Sequence, residues 1–151
     1  MPKAATNGVE LEYELTGPED GPPLLLVGGL GVQIISWTEN FVAALADRGF
    51  RVITYDNRDI GLSTKHDDWG PADIKTAFKQ ARAKEKVEAP YTLEDMADDA
   101  AGLLDALGID KAHIVGSSNG GAIAQTLAIR HPDKIATMVS IMATSGRRGL
   151  P

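Results

Sequence analysis

Cysteine is absent from the chain. Disulfide scaffolds, thiolate nucleophiles and cysteine-based zinc sites are therefore excluded. Positive charge is also in deficit: 15 Lys and Arg stand against 21 Asp and Glu, a formal net charge of −6. Nucleic acid and anionic membranes both require a basic face, so neither is expected as a partner. Histidine, the commonest general base, occurs only three times, so every candidate base can be weighed individually. No apolar run reaches the ~18 residues of a membrane span. The opening MPKAATNG lacks the apolar stretch of a secretory signal. The expectation from these absences is a cytoplasmic protein with no membrane span.

What is present reads as one domain over residues 1–151. Val9 to Leu15 alternates apolar and acidic residues, the period of a half-buried strand. Asn7-Gly8 before it is a hairpin turn signal, so Lys3 to Thr6 should pair back on it. Leu24 to Val27 is apolar throughout, as in a strand covered on both faces. A helix is expected over Ser36 to Arg48, with Trp37, Phe41, Ala44 and Leu45 inward and Gly49 as its stop. Arg51 to Tyr55 reads as a strand, and Asp56 to Pro71 as a loop. Asp73 to Lys86 suits a helix with Ile74, Ala77, Phe78 and Ala81 inward. Its Lys75, Lys79, Arg82, Lys84 and Lys86 then form a solvated basic face. Thr92 to Leu107 is the clearest helix: an N-cap threonine, acids in the first turn, an apolar stripe from Leu93 to Leu107, and Gly108 at its end. Ala112 to Val115 is a buried strand, Asn119 to Arg130 a helix, and Ile135 to Met142 a last apolar strand. Strands alternating with helices imply an α/β fold with a mostly parallel sheet, begun here by an antiparallel hairpin.

Glycine-rich turns carry the chemistry. A phosphate-binding loop needs lysine after its second glycine, but Ala122 follows Gly121. A dinucleotide fingerprint needs glycine where Ile34 follows Gly29-Leu30-Gly31, and where Ser118 follows Gly116. The third pattern, G-x-S-x-G between a strand and a helix, is met by Gly116-Ser117-Ser118-Asn119-Gly120. Only Ser118 has glycines two positions before and after it, and Gly121 adds clearance. Ser118 is thus the candidate nucleophile, at a helix N-terminus that favours developing negative charge. An elbow of this kind takes one oxyanion donor from the next N–H, Asn119, and another from the loop after an earlier strand. Leu30 N–H, in Val27-Gly28-Gly29-Leu30-Gly31, is the choice for the second.

At this point the sequence resembles the α/β-hydrolase superfamily over essentially its whole length. The resemblance rests on LLLVGGLG, VITYDNRDIGLS, YTLEDMADDAAGLLDALGI, HIVGSSNGGAIAQ and IRHPDKIATMVSI. The DNRD form and the helix wording look most like small-molecule carboxylic esterases near the aclacinomycin methylesterase branch. Two positions depart from the usual pattern: Asn119 stands where an apolar residue is common, and Gly28 where histidine often begins the oxyanion loop. The resemblance implies a serine esterase with a triad in the order Ser, Asp or Glu, His, and Asp56 and Arg58 as loop organisers; nothing in the sequence implies a metal or organic cofactor.

No base is well placed. His131 and Asp133 lie beyond a helix that starts at Ser118, roughly 18 Å away by helix rise. His113 enters the strand before the turn and reads as structural. His66, in KHDDWG, lies in a loop at the same end of the sheet as Ser118; the three polar residues His66, Asp67 and Asp68 read as a solvated loop rather than a metal site. The chain ends at TSGRRGLP, where family members continue into a lid and later strands, so the C-terminal strands and lid are expected to be absent and Ile135 to Met142 to form an exposed apolar edge. Three readings follow. Ser118 acts on a small-molecule ester with acid and histidine from a second chain or a removed C-terminal half. The chain is a short esterase that self-associates as a homo-oligomer. Or it is a binding module that keeps the fold without turnover. Trp37, Phe78 and Met142 are pocket candidates that more often serve as core.

Overall fold

A computed structural model describes residues 2–146; the final residues of TSGRRGLP lie outside that range. Six strands form one sheet in the order β1-β2-β4-β3-β5-β6. They are β1 (Lys3–Thr6), β2 (Val9–Thr16), β3 (Pro23–Val27), β4 (Arg51–Tyr55), β5 (Ala112–Ser117) and β6 (Ile135–Ile141). The β1/β2 and β2/β4 pairs are antiparallel, and β4, β3, β5 and β6 run parallel. The expected hairpin is present in register, with Thr6 opposite Val9. Its turn residues Asn7 and Gly8 have φ of 34° and 79°, the left-handed pair that matches strand twist.

Among the described residues there are four α-helices, α1 (Glu39–Ala46), α2 (Ile74–Ala83), α3 (Leu93–Ala106) and α4 (Asn119–Arg130), of which α1, α3 and α4 pack on the sheet. Alternation along β3 divides the core. Leu25 and Val27 face α3 and α4, where Ala97, Ala100, Leu103, Leu104, Ile123 and Leu127 pack. Leu24 and Leu26 face the other way, against Trp37, Val42 and Leu45. This explains the uninterrupted apolar run of β3, which is covered on both sides. The start of α3 carries a full capping box: Thr92 N–H donates to the Asp95 carboxylate at 2.8 Å, and Asp95 N–H returns to the Thr92 hydroxyl.

The expectations for three helices are corrected. The first helix is shorter than Ser36 to Arg48, because a 3-10 turn at Ile34–Ser36 precedes it and Thr38 caps it. Its inward face is centred on Val42, Leu45 and Ala46, while Phe41 is exposed. In α2, Ile74 and Phe78 do not face the core; no residue of this helix is buried, and Phe78 is 67% exposed. That helix also stops at Ala83, since Lys84 turns left-handed with φ of 59°. Leu93, the first residue of the α3 stripe, is exposed. The basic residues of α2 are solvent-facing as expected. The edge strand β6 is exposed along most of its length, Met138, Val139 and Ile141 included. Among the described residues no helix is long and apolar enough to cross a membrane.

Candidate active site

Strand β5 ends at Ser117, and α4 begins at Asn119. Ser118 makes the turn alone, with φ 55° and ψ −122°. A residue with a Cβ adopts this region only under strain, which persists when the surroundings dictate it. Here they do. Ser118 N–H is held by the Ile141 carbonyl at 2.8 Å, and the Ser118 carbonyl accepts from Gly121 N–H at 2.9 Å. The result is an exposed hydroxyl at the head of a twelve-residue helix.

The glycines around the turn are spatial necessities. A Cβ on Gly116 would stand 2.1 Å from the Gly120 carbonyl oxygen. On Gly120 it would stand 2.1 Å from the Val27 oxygen and 2.6 Å from that of Gly28. On Gly121 it would meet the Ala143 Cβ at 2.6 Å and the Ser140 hydroxyl at 2.8 Å. Helix α4 therefore approaches its own strand, the end of β3 and the segment after β6 more closely than any side chain permits.

The loop after β3 lies against the same turn. A Cβ on Gly29 would be 3.2 Å from the Ser117 oxygen and 3.3 Å from the Ser118 Cβ. The loop closes on itself through Val32 N–H to the Gly29 carbonyl at 3.2 Å, with Gly31 at φ 73°. Leu30, between them, has an exposed side chain. The first N–H groups of a helix have no intrahelical acceptor, which leaves that of Asn119 at the mouth of the turn.

Asp56 and Asn57 fix this loop from β4. The Asp56 carboxylate accepts Ile34 N–H on one oxygen and Leu62 N–H on the other, each at 2.8 Å. Asn57 donates its amide to the Gly28 carbonyl at 3.2 Å. Gly61 passes so close to Asp56 that a Cβ would be 1.8 Å from a carboxylate oxygen. Arg58 anchors the far side of the same segment. Its guanidinium makes a two-pronged bond to Asp99 of α3, 2.6 Å on each arm, with both residues buried. Asp99 also accepts from Asn7 at 3.1 Å. The Asp99 carboxylate holds the guanidinium above its ordinary pKa. Asp56 and Arg58 thus organise the loop, as the resemblance implies. Asp99 is the partner that sequence reasoning missed. A signal existed: it lies three residues after Met96 and four before Leu103, within the apolar stripe of α3.

Ser118 opens onto a cavity of about 400 Å³ whose lining includes Leu93, Asn119, Ala122 and Met142. Met142, 82% exposed, is thus pocket lining and not core. Phe78 lines a different cavity, and Trp37 packs on the α1 side of the sheet. None of the three histidines shares the Ser118 cavity. The His113 Nδ1 is 2.8 Å from the Thr137 hydroxyl, at the opposite end of β5. His131 bonds Asp98 at 2.7 Å, one α4 length away, or ~18 Å by helix rise. His66 stacks on Trp69 with ring centroids 3.7 Å apart and lines the second cavity, whose walls have no residue in common with the first. Asp133 belongs to the 3-10 turn after α4. Among the described residues no three His, Cys, Asp or Glu side chains gather as a metal site.

Comparison with known proteins identifies the fold. A model of the alpha/beta hydrolase fold aligns with residues 22–148. The rhodomycin D methylesterase DauP of Streptomyces sp. (strain C5) is 34% identical over 134 residues, covering 89% of this chain and 39% of that protein. Epoxide hydrolase B of Mycobacterium tuberculosis (strain ATCC 25618 / H37Rv) is 30% identical over 145 residues, 95% of this chain and 35% of that one. The crystal structure of the enol-lactonase from Burkholderia xenovorans LB400 superimposes with a TM-score of 0.74 at 33% identity, over 95% of this chain and 47% of its own. The chain therefore spans less than half the length of each of these proteins. With a six-stranded sheet in this order, helices α1, α3 and α4 packed on it and a family match across most of its residues, the chain belongs to the alpha/beta hydrolase fold family.

Proposed function

We propose that the chain carries the nucleophile and oxyanion hole of a serine hydrolase acting on small-molecule carboxylic esters. Ser118 Oγ attacks the ester carbonyl carbon, and the carbonyl oxygen gains the negative charge. The Leu30 and Asn119 N–H groups hold that oxygen, and expulsion of the alcohol leaves an acyl-enzyme on Ser118. Water then attacks the acyl carbon and releases the acid. The proton movements need a base within ~3 Å of the hydroxyl. In this reading the base and its acid are supplied by polypeptide outside the 151 residues, since no histidine of the chain lines the Ser118 cavity.

The observation that carries the reading is the left-handed φ of Ser118 at the head of α4, with the Gly29 backbone packed beside it. The ester class rests on the serine hydroxyl, which suits acyl transfer, and on the names of the methylesterase and enol-lactonase relatives. The test is covalent labelling by a fluorophosphonate, on this chain alone and joined to the C-terminal portion of a relative. Labelling of the joined form should disappear on Ser118→Ala; labelling that persists overturns the assignment. Turnover of a nitrophenyl ester against styrene oxide decides the substrate class, and epoxide opening without ester cleavage would refute the ester reading.

A further inference from the structure

Helix α2 presents an apolar face with no core behind it. Ile74 and Phe78 on that face look across a second cavity, about 1070 Å³ in volume, towards Trp69, Val87 and Tyr91. That size is at the upper end for a pocket holding a drug-sized molecule. The aromatic wall is preassembled. Trp69 stacks on His66 at 3.7 Å and lies 5.9 Å from Tyr91. The loop holding it is tied down by His66 N–H to the Asp59 carboxylate at 2.7 Å. His66 Nε2 is buried and has no hydrogen-bond partner among the described residues, so a polar point remains on an otherwise apolar wall.

The side chains that line the cavity carry more negative than positive charge. Asp59, Asp67, Asp73 and Glu88 line it against a single ammonium, Lys65. Asp73 is held in its charged form, below the ordinary carboxylate range, by the Thr76 hydroxyl and N–H. Aromatic faces attract cations as well: behind the cavity wall, the buried Arg58 guanidinium lies 5.3 Å from the Tyr91 ring centre. The carboxylates repel an anionic ligand and attract a cationic one, most strongly at low ionic strength because Asp67, Asp73 and Glu88 are solvent-exposed.

We propose that this cavity is a binding site for a ring-bearing apolar small molecule that carries an ammonium group. The rings lie against Trp69 and Phe78, and the ammonium is held by the surrounding carboxylates. The site makes no bond and goes beyond the Ser118 reading, because the two cavities share no lining residue.

The test uses the 151-residue chain and three probes of one ring size: naphthylmethylammonium, naphthylmethanol and naphthylacetate. Calorimetry should give that order of affinity, with the ammonium at least about tenfold tighter than the carboxylate. Phe78→Ala, at an exposed position, should weaken ammonium binding about tenfold. Ala81→Arg, which adds bulk and positive charge on the same helix face, should abolish it. Ser118→Ala should leave it unchanged, and labelling of Ser118 is read separately. Equal binding of cation and anion, no loss in Phe78→Ala, or loss in Ser118→Ala would each overturn the proposal. So would concentration-dependent dimerisation in sedimentation that Phe78→Ala removes, since the occupant would then be a second copy.

Discussion

Replacing Ser118 by glycine should stabilise the fold while removing the hydroxyl on which the proposed chemistry depends. Ser118 holds φ 55° and ψ −122°, where a residue with a Cβ is strained. Such strain costs about 1–3 kcal/mol. Glycine relieves it, but its freer unfolded chain returns about 0.5–1 kcal/mol of the gain. The lost hydroxyl costs little, because the side chain is exposed and makes no capping bond to α4. The net expectation is a gain of about 1 kcal/mol, or roughly 2–4 °C in Tm for a domain of this size. Ser118→Ala is the informative control, since it removes the same oxygen but keeps the Cβ that creates the strain. Thermal melts followed by circular dichroism and urea midpoints should place Ser118→Gly above both the parent and Ser118→Ala. If glycine is no more stable than alanine, the strain is not stored at this residue and the reasoning fails.

Gly120→Ala should destabilise by about 1–3 kcal/mol through overpacking, because its Cβ would press on the Val27 and Gly28 carbonyl oxygens; an unchanged urea midpoint would refute the close approach. Asp99→Asn should cost about 3–5 kcal/mol, since it leaves the buried Arg58 guanidinium without its counter-charge. Arg58→Met combined with Asp99→Leu should recover much of that loss in the same assay, and failure to do so would point to packing and not charge. Asp98 is held below the ordinary carboxylate range, first by its bond to Arg130 and then by His131. A folded pKa below the unfolded one gives stability that is complete above about pH 4 and lost as pH falls through the lower folded value. Asp98→Asn should therefore flatten the acid limb of a stability–pH curve, and an unaltered limb would exclude this pair as a contributor.

Much of the fold is legible because its signals are local. The hairpin follows from Asn7-Gly8 and the alternation after it, β4 from five consecutive strand-forming residues, and α4 from a glycine start and a His-Pro stop. Reading failed where the apolar face of a helix had more than one destination. The stripe of α2 matches a core-facing helix in period, yet it turns to an open cavity because the neighbouring partners are loop residues, not the sheet. In α1 the Thr38 cap shifts the start, and with it the inward face, by a fraction of a turn. Around Ser118, glycine spacing picked out the serine and its three glycines, and each of those positions proves too crowded for a side chain. Asp99 escaped because a carboxylate in an apolar stripe is meaningful only beside its partner, 41 residues away in the chain.

The sequence by itself determined the order of strands and helices, the family, and the one serine flanked by glycines at the right spacing. These depend on periodicity, caps and steric tolerance, which act over a few residues. Only the tertiary structure decided that Arg58 and Asp99 meet, that Asp56 ties two loops together, that His66 and Ser118 open onto separate cavities, and that α2 faces one of them. Those outcomes depend on which distant segments share a surface. No local pattern encodes that, because the energy of a buried ion pair or a cavity wall belongs to the contact and not to either residue alone.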